Sequence, residues 1–234
     1  AIHPPHSARP IIITIDGPAG TGKSSVARAL AKRLGLDFLD TGAMYRAAAA
    51  VVIDRQLPFG DSARVVAAIA EADIHFDWKA DPPRVIAFGE AMDGRVRSGD
   101  VTAIVSQVAS IPELRRHLVA KQRLIAAQHR KLVTEGRDQG SVAFPDAALK
   151  LYLDAAPRVR ARRRAEQLRA AGMEADEAAL EREIAARDHS DSHRPTGPLV
   201  CPEDAIRVDT SDLSFEQVVD RLEALCRERV EALA

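Results

Sequence analysis

The stretch Ile11–Ser25, which reads IIITIDGPAGTGKSS, determines how the rest of the chain is organised. Its first five residues are all apolar or β-branched, which predicts a strand buried on both faces of a parallel sheet. Residues Gly17–Ser24 follow at once and match the phosphate-binding pattern G-x-x-x-x-G-K-[ST]. In such a loop, backbone N–H groups surround a polyphosphate at the start of a helix. Lys23 then reaches the β- and γ-phosphates, and the Ser24 hydroxyl is a ligand of Mg²⁺.

A glycine-rich turn can also match this pattern by chance, so the flanking sequence has to distinguish a nucleotide-binding loop from an accidental turn. Apolar residues at helical spacing, Val26, Leu30 and Leu34, begin directly after the loop, and Gly35 supplies a stop signal. This context favours nucleotide binding, and we expect Lys23 to lie on a surface loop rather than in the core. The predicted nucleotide contacts of the loop are Gly17, Pro18, Ala19, Gly20, Thr21, Gly22, Lys23, Ser24 and Ser25.

The composition of the 234 residues argues against several classes of protein. The formal charge of −1 gives no support to a protein that binds nucleic acid or a membrane surface. No apolar run approaches the roughly 20 residues needed to cross a bilayer. Residues 1–9 lack the features of a secretory signal, and we expect a loose N-terminus there.

Neither the cysteines nor the histidines have the spacing of a metal site. A disulfide between Cys201 and Cys226 is possible by number alone, but two thiols in a reducing compartment are favoured. We therefore assign no zinc site.

Further strand patterns alternate with helical patterns along the chain. The predicted strands are Asp37–Asp40, Lys131–Thr134, Leu149–Leu153 and Ala205–Asp209. This alternation predicts an α/β fold with a doubly wound parallel sheet, whose ligands bind at the carboxyl ends of the strands. Thr41 follows the first of these strands and can cap the next helix. Arg46 lies about one turn further on, either as a ligand contact at this edge or as an exposed surface arginine.

Two regions do not fit a parallel sheet. Residues 74–78 and 84–88 have alternating faces around a turn with two prolines, which predicts antiparallel hairpins in a small insert. We expect Trp78 and the phenylalanines there to form the insert's own small core. Residues 158–169 are rich in arginine and precede an acidic helix, forming either a salt-bridged hairpin or a mobile cover that closes on phosphate. The following segment, 187–195, is too polar for a core.

Phosphoryl transfer requires mainly positioning and positive charge from a protein. The chain offers a loop lysine, a candidate Mg²⁺ ligand and many arginines, whose planar fork grips two phosphate oxygens at once. A GTPase would also need an N-K-x-D motif to read guanine, and the sequence has none.

Four further motifs accompany the phosphate-binding loop. They are LDTGAMYR (39–46), SQVASIPELR (106–115), EGRDQGSVAFPDA (135–147) and RDHSDSHR (187–194), the last with PLV downstream. In this order and spacing, from about Pro10 almost to the C-terminus, the chain resembles the bacterial cytidylate kinases, which are nucleoside monophosphate kinases. The resemblance implies transfer of phosphate from ATP to CMP or dCMP, with Mg²⁺ accompanying ATP.

The resemblance also implies a division of the chain. The implied parts are the loose N-terminus (1–9), a CORE domain (10–61, 105–157 and 196–234), a monophosphate-binding insert (62–104) and a LID with the arginine-rich segment after it (158–195). We expect a cytoplasmic monomer whose partners are ATP and CMP or dCMP, without nucleic acid or membrane.

The resemblance assigns roles to individual residues. Around the transferred phosphate it implies the cations Lys23, Arg46, Arg137, Arg187 and Arg194. The implied contacts of the acceptor phosphate are Thr41, Arg46 and Arg137, and those of the cytosine edge are Ser106, Arg115 and Asp138. The implied contacts of the ribose are Arg187 and Asp191. Arg163 and Arg164 belong to the LID side of the ATP site. The chain departs from the family pattern at four positions. Thr41 stands where serine is common, and Glu135 stands where aspartate is common. The other two are Gln139, in the Gly-Arg-Asp loop, and Ser190, where some members carry arginine.

Three alternatives remain open. A P-loop kinase for another nucleotide or small metabolite would share Lys23 and Ser24 but need not carry the set Ser106, Arg115 and Asp138. A binding module without turnover would have little reason for so many arginines. A nucleic-acid protein would use the arginine-rich helix on a phosphate backbone, which the acidic neighbouring helix and the near-zero net charge oppose.

Overall fold

The computed structural model describes residues 10–233, so the prediction of a loose N-terminus at 1–9 lies outside the described residues. The strands are β1 (Ile11–Asp16), β2 (Asp37–Asp40), β3 (His75–Asp77), β4 (Arg84–Ala87), β5 (Glu90–Ala91), β6 (Lys131–Gly136), β7 (Leu149–Asp154) and β8 (Ile206–Asp209). The α-helices are α1 (Lys23–Leu34), α2 (Thr41–Asp54), α3 (Ser62–Ala72), α4 (Gly99–Val108), α5 (Pro112–Gln128), α6 (Pro157–Ala170), α7 (Glu177–His193) and α8 (Phe215–Arg229).

Five strands form a parallel sheet in the order β2-β6-β1-β7-β8. Every residue of β1 is buried, as the unbroken apolar run predicts. Helices α1 and α8 cover one face of the sheet, while α2, α3, α4 and α5 share the hydrophobic cluster on the other. The prediction of a doubly wound α/β fold is confirmed. Asp16 pairs in register with both Gly136 and Tyr152, which brings the carboxyl ends of β1, β6 and β7 to one edge.

The predicted hairpins are also confirmed, as the three-stranded antiparallel sheet β3-β4-β5. The expectation of a separate small core there is wrong. Phe76 is buried in the cluster that contains α2 and α5, and Trp78 packs against the same cluster. Trp78 also stacks on His129, with ring centroids 3.8 Å apart. The end of the proposed insert, residue 104, falls within α4, and the division into domains stays a proposal.

Helix ends follow local chemistry with one difference from the expectation. The carboxylate of Asp40, rather than the hydroxyl of Thr41, caps α2 by accepting a hydrogen bond from the Ala43 N–H at 2.9 Å. Thr41 is the first helical residue, and its hydroxyl instead donates to the Glu135 carbonyl of β6 at 2.6 Å. At α8, Ser214 and Gln217 form the predicted capping box.

Helix α7 is longer than the sequence pattern indicates. Its last two turns contain Arg187–His193, which the sequence places after the helix, and it ends before Pro195. A polar segment can form these helical turns because most of its side chains are exposed to solvent. Among residues 187–193, Asp191 is buried toward the sheet edge. No helix within residues 10–233 has the length and apolar character of a membrane span.

Candidate active site

The phosphate-binding loop joins β1 to α1 at the carboxyl edge of the sheet. Gly22 has a φ of 80° at the start of α1, in the left-handed region that only glycine adopts readily. A side chain on Gly17 would overlap the Leu153 carbonyl of β7. The loop is therefore a close-packed turn whose two outer glycines are required by backbone geometry.

Lys23 is buried, so the expectation of a surface position is wrong. Its exposed fraction is 5%, and its Nζ donates to the Pro18 carbonyl at 2.7 Å, with Thr21 Oγ1 at 3.4 Å. Burial, followed by the nearby charge of Arg137, lowers the pKa of Lys23 to about 7. The amine thus lies inside the loop and its positive charge is poorly stabilised without an anion.

An acidic pair lies beside Ser24. The Ser24 hydroxyl donates to Glu135 Oε1 at 2.7 Å, and the Glu135 side chain also interacts with that of Asp40. Burial, together with the negative charge of Glu135, raises the pKa of Asp40. Gly42 leaves room for the pair, since a Cβ there would lie 3.1 Å from Asp40 Oδ1. Three oxygen-bearing side chains therefore meet next to the phosphate-binding loop.

Arginines from three separate elements converge on the same edge. Arg46 of α2 donates to the Val96 carbonyl at 3.2 Å and to Thr102 Oγ1 at 3.0 Å. Arg137, after β6, pairs with Asp191 at 2.9 Å. Burial, followed by the charge of Arg137, lowers the pKa of Arg187 to about 10, and its buried Nε has no hydrogen-bond partner among the described residues. Such a group of incompletely paired cations favours binding of a multiply charged anion.

The next residue after Arg137 forms a different kind of pair. Asp138 and Arg115 are both buried, and Arg115 Nη2 donates to Asp138 Oδ2. Arg115 also donates to the Ala109 carbonyl at 3.0 Å, and its guanidinium carbon lies 4.9 Å from the centre of the Tyr45 ring. A side chain on Gly197 would overlap Asp138 Oδ2, so the backbone of Gly197 lies directly against the pair.

Asp191 and Arg194 connect the arginine group to the Asp138 pair. Asp191 accepts from Arg137 and lies 3.6 Å from Arg194 Nη1. Arg194 Nε donates to the Gly197 carbonyl at 2.5 Å. A pair suited to the edge of a base thus lies beside a cluster suited to phosphate, and Arg137 and Arg187 of that cluster lie close enough to Lys23 to affect its pKa.

Known proteins are similar to this chain over most of its length. The family model described as Cytidylate kinase matches residues 13–228. The chain is 43% identical over 221 residues to a cytidylate kinase of Mycobacterium avium (strain 104), covering 94% of this chain and 97% of the relative. It is 45% identical over 210 residues to the cytidylate kinase of Caldanaerobacter subterraneus subsp. tengcongensis, covering 90% of this chain and 92% of the relative. This chain belongs to the cytidylate kinase family.

The fold is also shared with solved structures of distant sequence. An uncharacterized protein from Eubacterium ventriosum aligns with a TM-score of 0.52 at 12% identity, over 94% of this chain and all of the other. That likeness concerns the fold alone.

One of the residues expected from the cytidylate kinase family, Arg163, lies apart from the cluster. Arg163 donates to Thr210 Oγ1 at 3.0 Å and to the Leu213 carbonyl at 3.3 Å, so it contacts the segment between β8 and α8 rather than the phosphate-binding loop. Ser106 is half-buried on α4. Their roles stay predictions, as does that of Arg164, which is exposed and close enough to affect the pKa of Arg46.

Arg160 and Asp188 contact the loop although the sequence reasoning did not assign them. Arg160 Nη1 donates to the Ala19 carbonyl at 2.8 Å and to Asp188 Oδ2 at 2.5 Å. Asp188 Oδ1 accepts from the Ala19 N–H at 3.0 Å. The available signal was the spacing of four between Arg160 and Arg164, which places both on one side of α6.

Proposed function

We propose that this chain transfers the γ-phosphoryl group of ATP to the phosphate of CMP or dCMP. The observation that carries the choice of base is the buried pair of Asp138 and Arg115 beside the arginine cluster. Cytosine has an amino group at position 4 and acceptors at N3 and O2. A carboxylate accepts from the amino group, the guanidinium donates to the acceptors, and the hydroxyl of Ser106 can do either.

The phosphate-binding loop supplies the donor side. Lys23 exchanges its bond to the Pro18 carbonyl for the phosphates of ATP, which stabilise its charged form. The lowered pKa of the free amine supports this role, because the site already holds the lysine where positive charge is needed. A cation preorganised at this position stabilises charge that develops as the γ-phosphoryl group is transferred.

The acceptor side uses Thr41 with the arginines Arg46, Arg137, Arg187 and Arg194. The arginines come from α2, from the loop after β6, from α7 and from the residue that directly follows α7. Because these elements are different, the arginines can hold the acceptor phosphate from several directions. The acceptor is already a phosphate anion near neutral pH, so the reaction requires no general base. Asp191 holds Arg137 and Arg194 in place and is free to exchange these bonds for a ribose hydroxyl.

Mg²⁺ fits the oxygen donors at Ser24. The hydroxyl of Ser24 and the carboxylates of Glu135 and Asp40 are hard ligands of the type that Mg²⁺ prefers, directly or through water. The raised pKa of Asp40 supports this fit, since two carboxylates side by side favour binding of a divalent cation. When bound, the ion neutralises phosphate charge.

The LID (158–195) and the insert (62–104) complete the proposal by closing over the substrates and excluding water. The contact between Asp188 and the Ala19 N–H supports a link between the LID and the phosphate-binding loop. We further propose a monomer, which size-exclusion chromatography tests, and a cytoplasmic location, where both substrates occur.

A coupled assay of ADP release with ATP and Mg²⁺, comparing CMP, dCMP, UMP, AMP and GMP, tests the function. We expect CMP and dCMP to be the best acceptors, with CMP exceeding UMP by roughly a hundredfold in kcat/KM. A purine monophosphate as the best acceptor would identify a kinase for another nucleotide. ADP release without any of the five would point to a different metabolite or to simple hydrolysis.

A further inference from the structure

Asp16 is a buried carboxylate at the carboxyl end of β1, directly before the phosphate-binding loop. Its Oδ1 accepts from the Gln139 N–H at 2.9 Å and its Oδ2 accepts from the Gly140 N–H at 2.8 Å. Both oxygens are therefore bound to the backbone of a segment more than a hundred residues away in sequence.

These two N–H groups belong to the start of a short π-helical turn, Gln139–Ala143. The turn's own hydrogen bonds begin at the N–H groups of Val142 and Ala143, which both donate to the Asp138 carbonyl. The first N–H groups of such a turn have no partner within it. The Asp16 carboxylate supplies that partner for two of them.

The loop that Asp16 holds contains the two site residues Arg137 and Asp138. Gly136 is the register partner of Asp16 in the sheet, and the chain returns to the Asp16 side chain at Gln139 and Gly140. Asp16 thus fixes both ends of the segment between them. Its neighbouring charges are Lys23 on the phosphate-binding loop and Asp138 on the loop itself.

A buried carboxylate is costly unless its hydrogen bonds repay the loss of water. Burial raises the pKa of Asp16 to about 6, and the two N–H groups oppose that shift. An apolar residue would be enough if the position served packing alone. The carboxylate of Asp16, bonded to two N–H groups, therefore indicates that the geometry of the loop after β6 has to be fixed.

We propose that Asp16 is a positioning residue that fixes the Arg137–Asp138 loop and thereby the enzyme's discrimination between cytosine and uracil. This inference rests on the proposed function. Asp16 touches neither the base nor the transferred phosphate. It acts through Asp138, whose carboxylate must meet the amino group of cytosine.

The test compares Asp16→Asn with Thr14→Val in the full chain. Asparagine keeps the shape of Asp16 but turns an NH₂ group toward one of the two N–H donors, so at least one hydrogen bond is lost. Thr14 is the matched control, because it is buried on the same face of β1 and close to Gly140. Its hydroxyl has no hydrogen-bond partner in the described part of the chain.

For Asp16→Asn we expect faster exchange of the Gln139 and Gly140 amides and a CMP-to-UMP ratio of kcat/KM narrowed about tenfold. Thr14→Val should match wild type in both measurements. An unchanged CMP-to-UMP ratio of kcat/KM overturns the proposal even if the amides of Gln139 and Gly140 exchange faster. A narrowed ratio with unchanged amide exchange also overturns it, because Asp16 would then not act through the loop. If Asp16→Asn does not fold, the smaller Asp16→Ser is measured in its place with the same criteria.

The two proposals can fail separately. Wild-type protein that does not phosphorylate CMP contradicts the proposed function. The amide exchange of Asp16→Asn without substrate still shows whether Asp16 holds the loop.

Discussion

Replacement of Asp138 by asparagine tests base recognition most sharply. Asp138 Oδ2 is bonded to Arg115, while Oδ1 has no hydrogen bond to any described residue and is the acceptor that we assign to the cytosine amino group. Truncation to alanine would leave Arg115 as an unpaired buried charge, which costs about 3–5 kcal/mol and can unfold the protein. Asparagine keeps the volume and a carbonyl acceptor, so the test concerns recognition rather than folding.

The magnitude follows from the loss of a charged acceptor. A hydrogen bond to a charged group contributes about 1.5–3 kcal/mol, so kcat/KM for CMP should fall roughly 10–150-fold. UMP should lose less or gain, because its carbonyl at position 4 no longer faces a carboxylate and can accept from the asparagine NH₂. The CMP-to-UMP ratio should therefore fall from roughly a hundred to less than about ten.

The assay is coupled ADP release with saturating ATP and Mg²⁺ and varied CMP or UMP. Asp146→Asn is the matched control, because it makes the same change at an exposed position a few residues further on, and it should leave the ratio at the wild-type value. Thermal unfolding followed by circular dichroism shows whether both variants are folded. Equal losses with CMP and UMP would refute the base-reading role and make Asp138 a structural partner of Arg115.

Four further predictions concern the donor site, the metal and the LID. Lys23→Ala should lose most of kcat while remaining folded, and turnover within a factor of about three of wild type would contradict the phosphate-loop assignment. Because the pKa of Lys23 is about 7 without ligand and bound phosphate raises it, ATP binding at pH 8 should take up protons. Titration calorimetry in two buffers of different ionisation enthalpy measures this uptake, and identical heats would exclude it. Glu135→Gln should raise the Mg²⁺ concentration needed for half-maximal ATP binding about tenfold, and an unchanged Mg²⁺ dependence would remove Glu135 from the metal site. Residues 158–195 should gain protection from hydrogen exchange on binding a bisubstrate analogue, and no gain would contradict closure of the LID.

Sequence periodicity predicted the elements that depend on local pattern. The buried β1, the glycine stop after α1 and the capping box of α8 all require only residues close together in the chain. The antiparallel hairpins were predicted for the same reason, because alternation over a few residues is a local signal.

The errors came from contacts between distant residues. The hydroxyl of Thr41 is drawn to the Glu135 carbonyl in β6, which leaves the cap of α2 to Asp40. Lys23 is buried because the loop folds around its amine and Arg137 and Arg187 approach from the far part of the chain. No pattern within a short window contains either effect.

In the candidate site, too, local sequence indicated some residues, whereas contacts between distant segments determine others. Roles for Arg46, Arg137 and Asp138 could be proposed from the sequence because each lies in a short continuous motif that resembles the family. Gly197, whose backbone lies against the Asp138 pair, follows a proline-containing loop and carries no local sign of this contact. Asp16 was hidden in the strand pattern, since its role depends on backbone groups of the loop after β6.

A crystal structure with CMP and a non-hydrolysable ATP analogue would show directly where the base and the two phosphates bind. We expect the cytosine amino group within hydrogen-bond distance of Asp138 and the CMP phosphate between Arg46 and Arg137, facing the γ-phosphate near Lys23. A cytosine ring bound elsewhere, or a CMP phosphate that contacts neither arginine, would contradict this expectation.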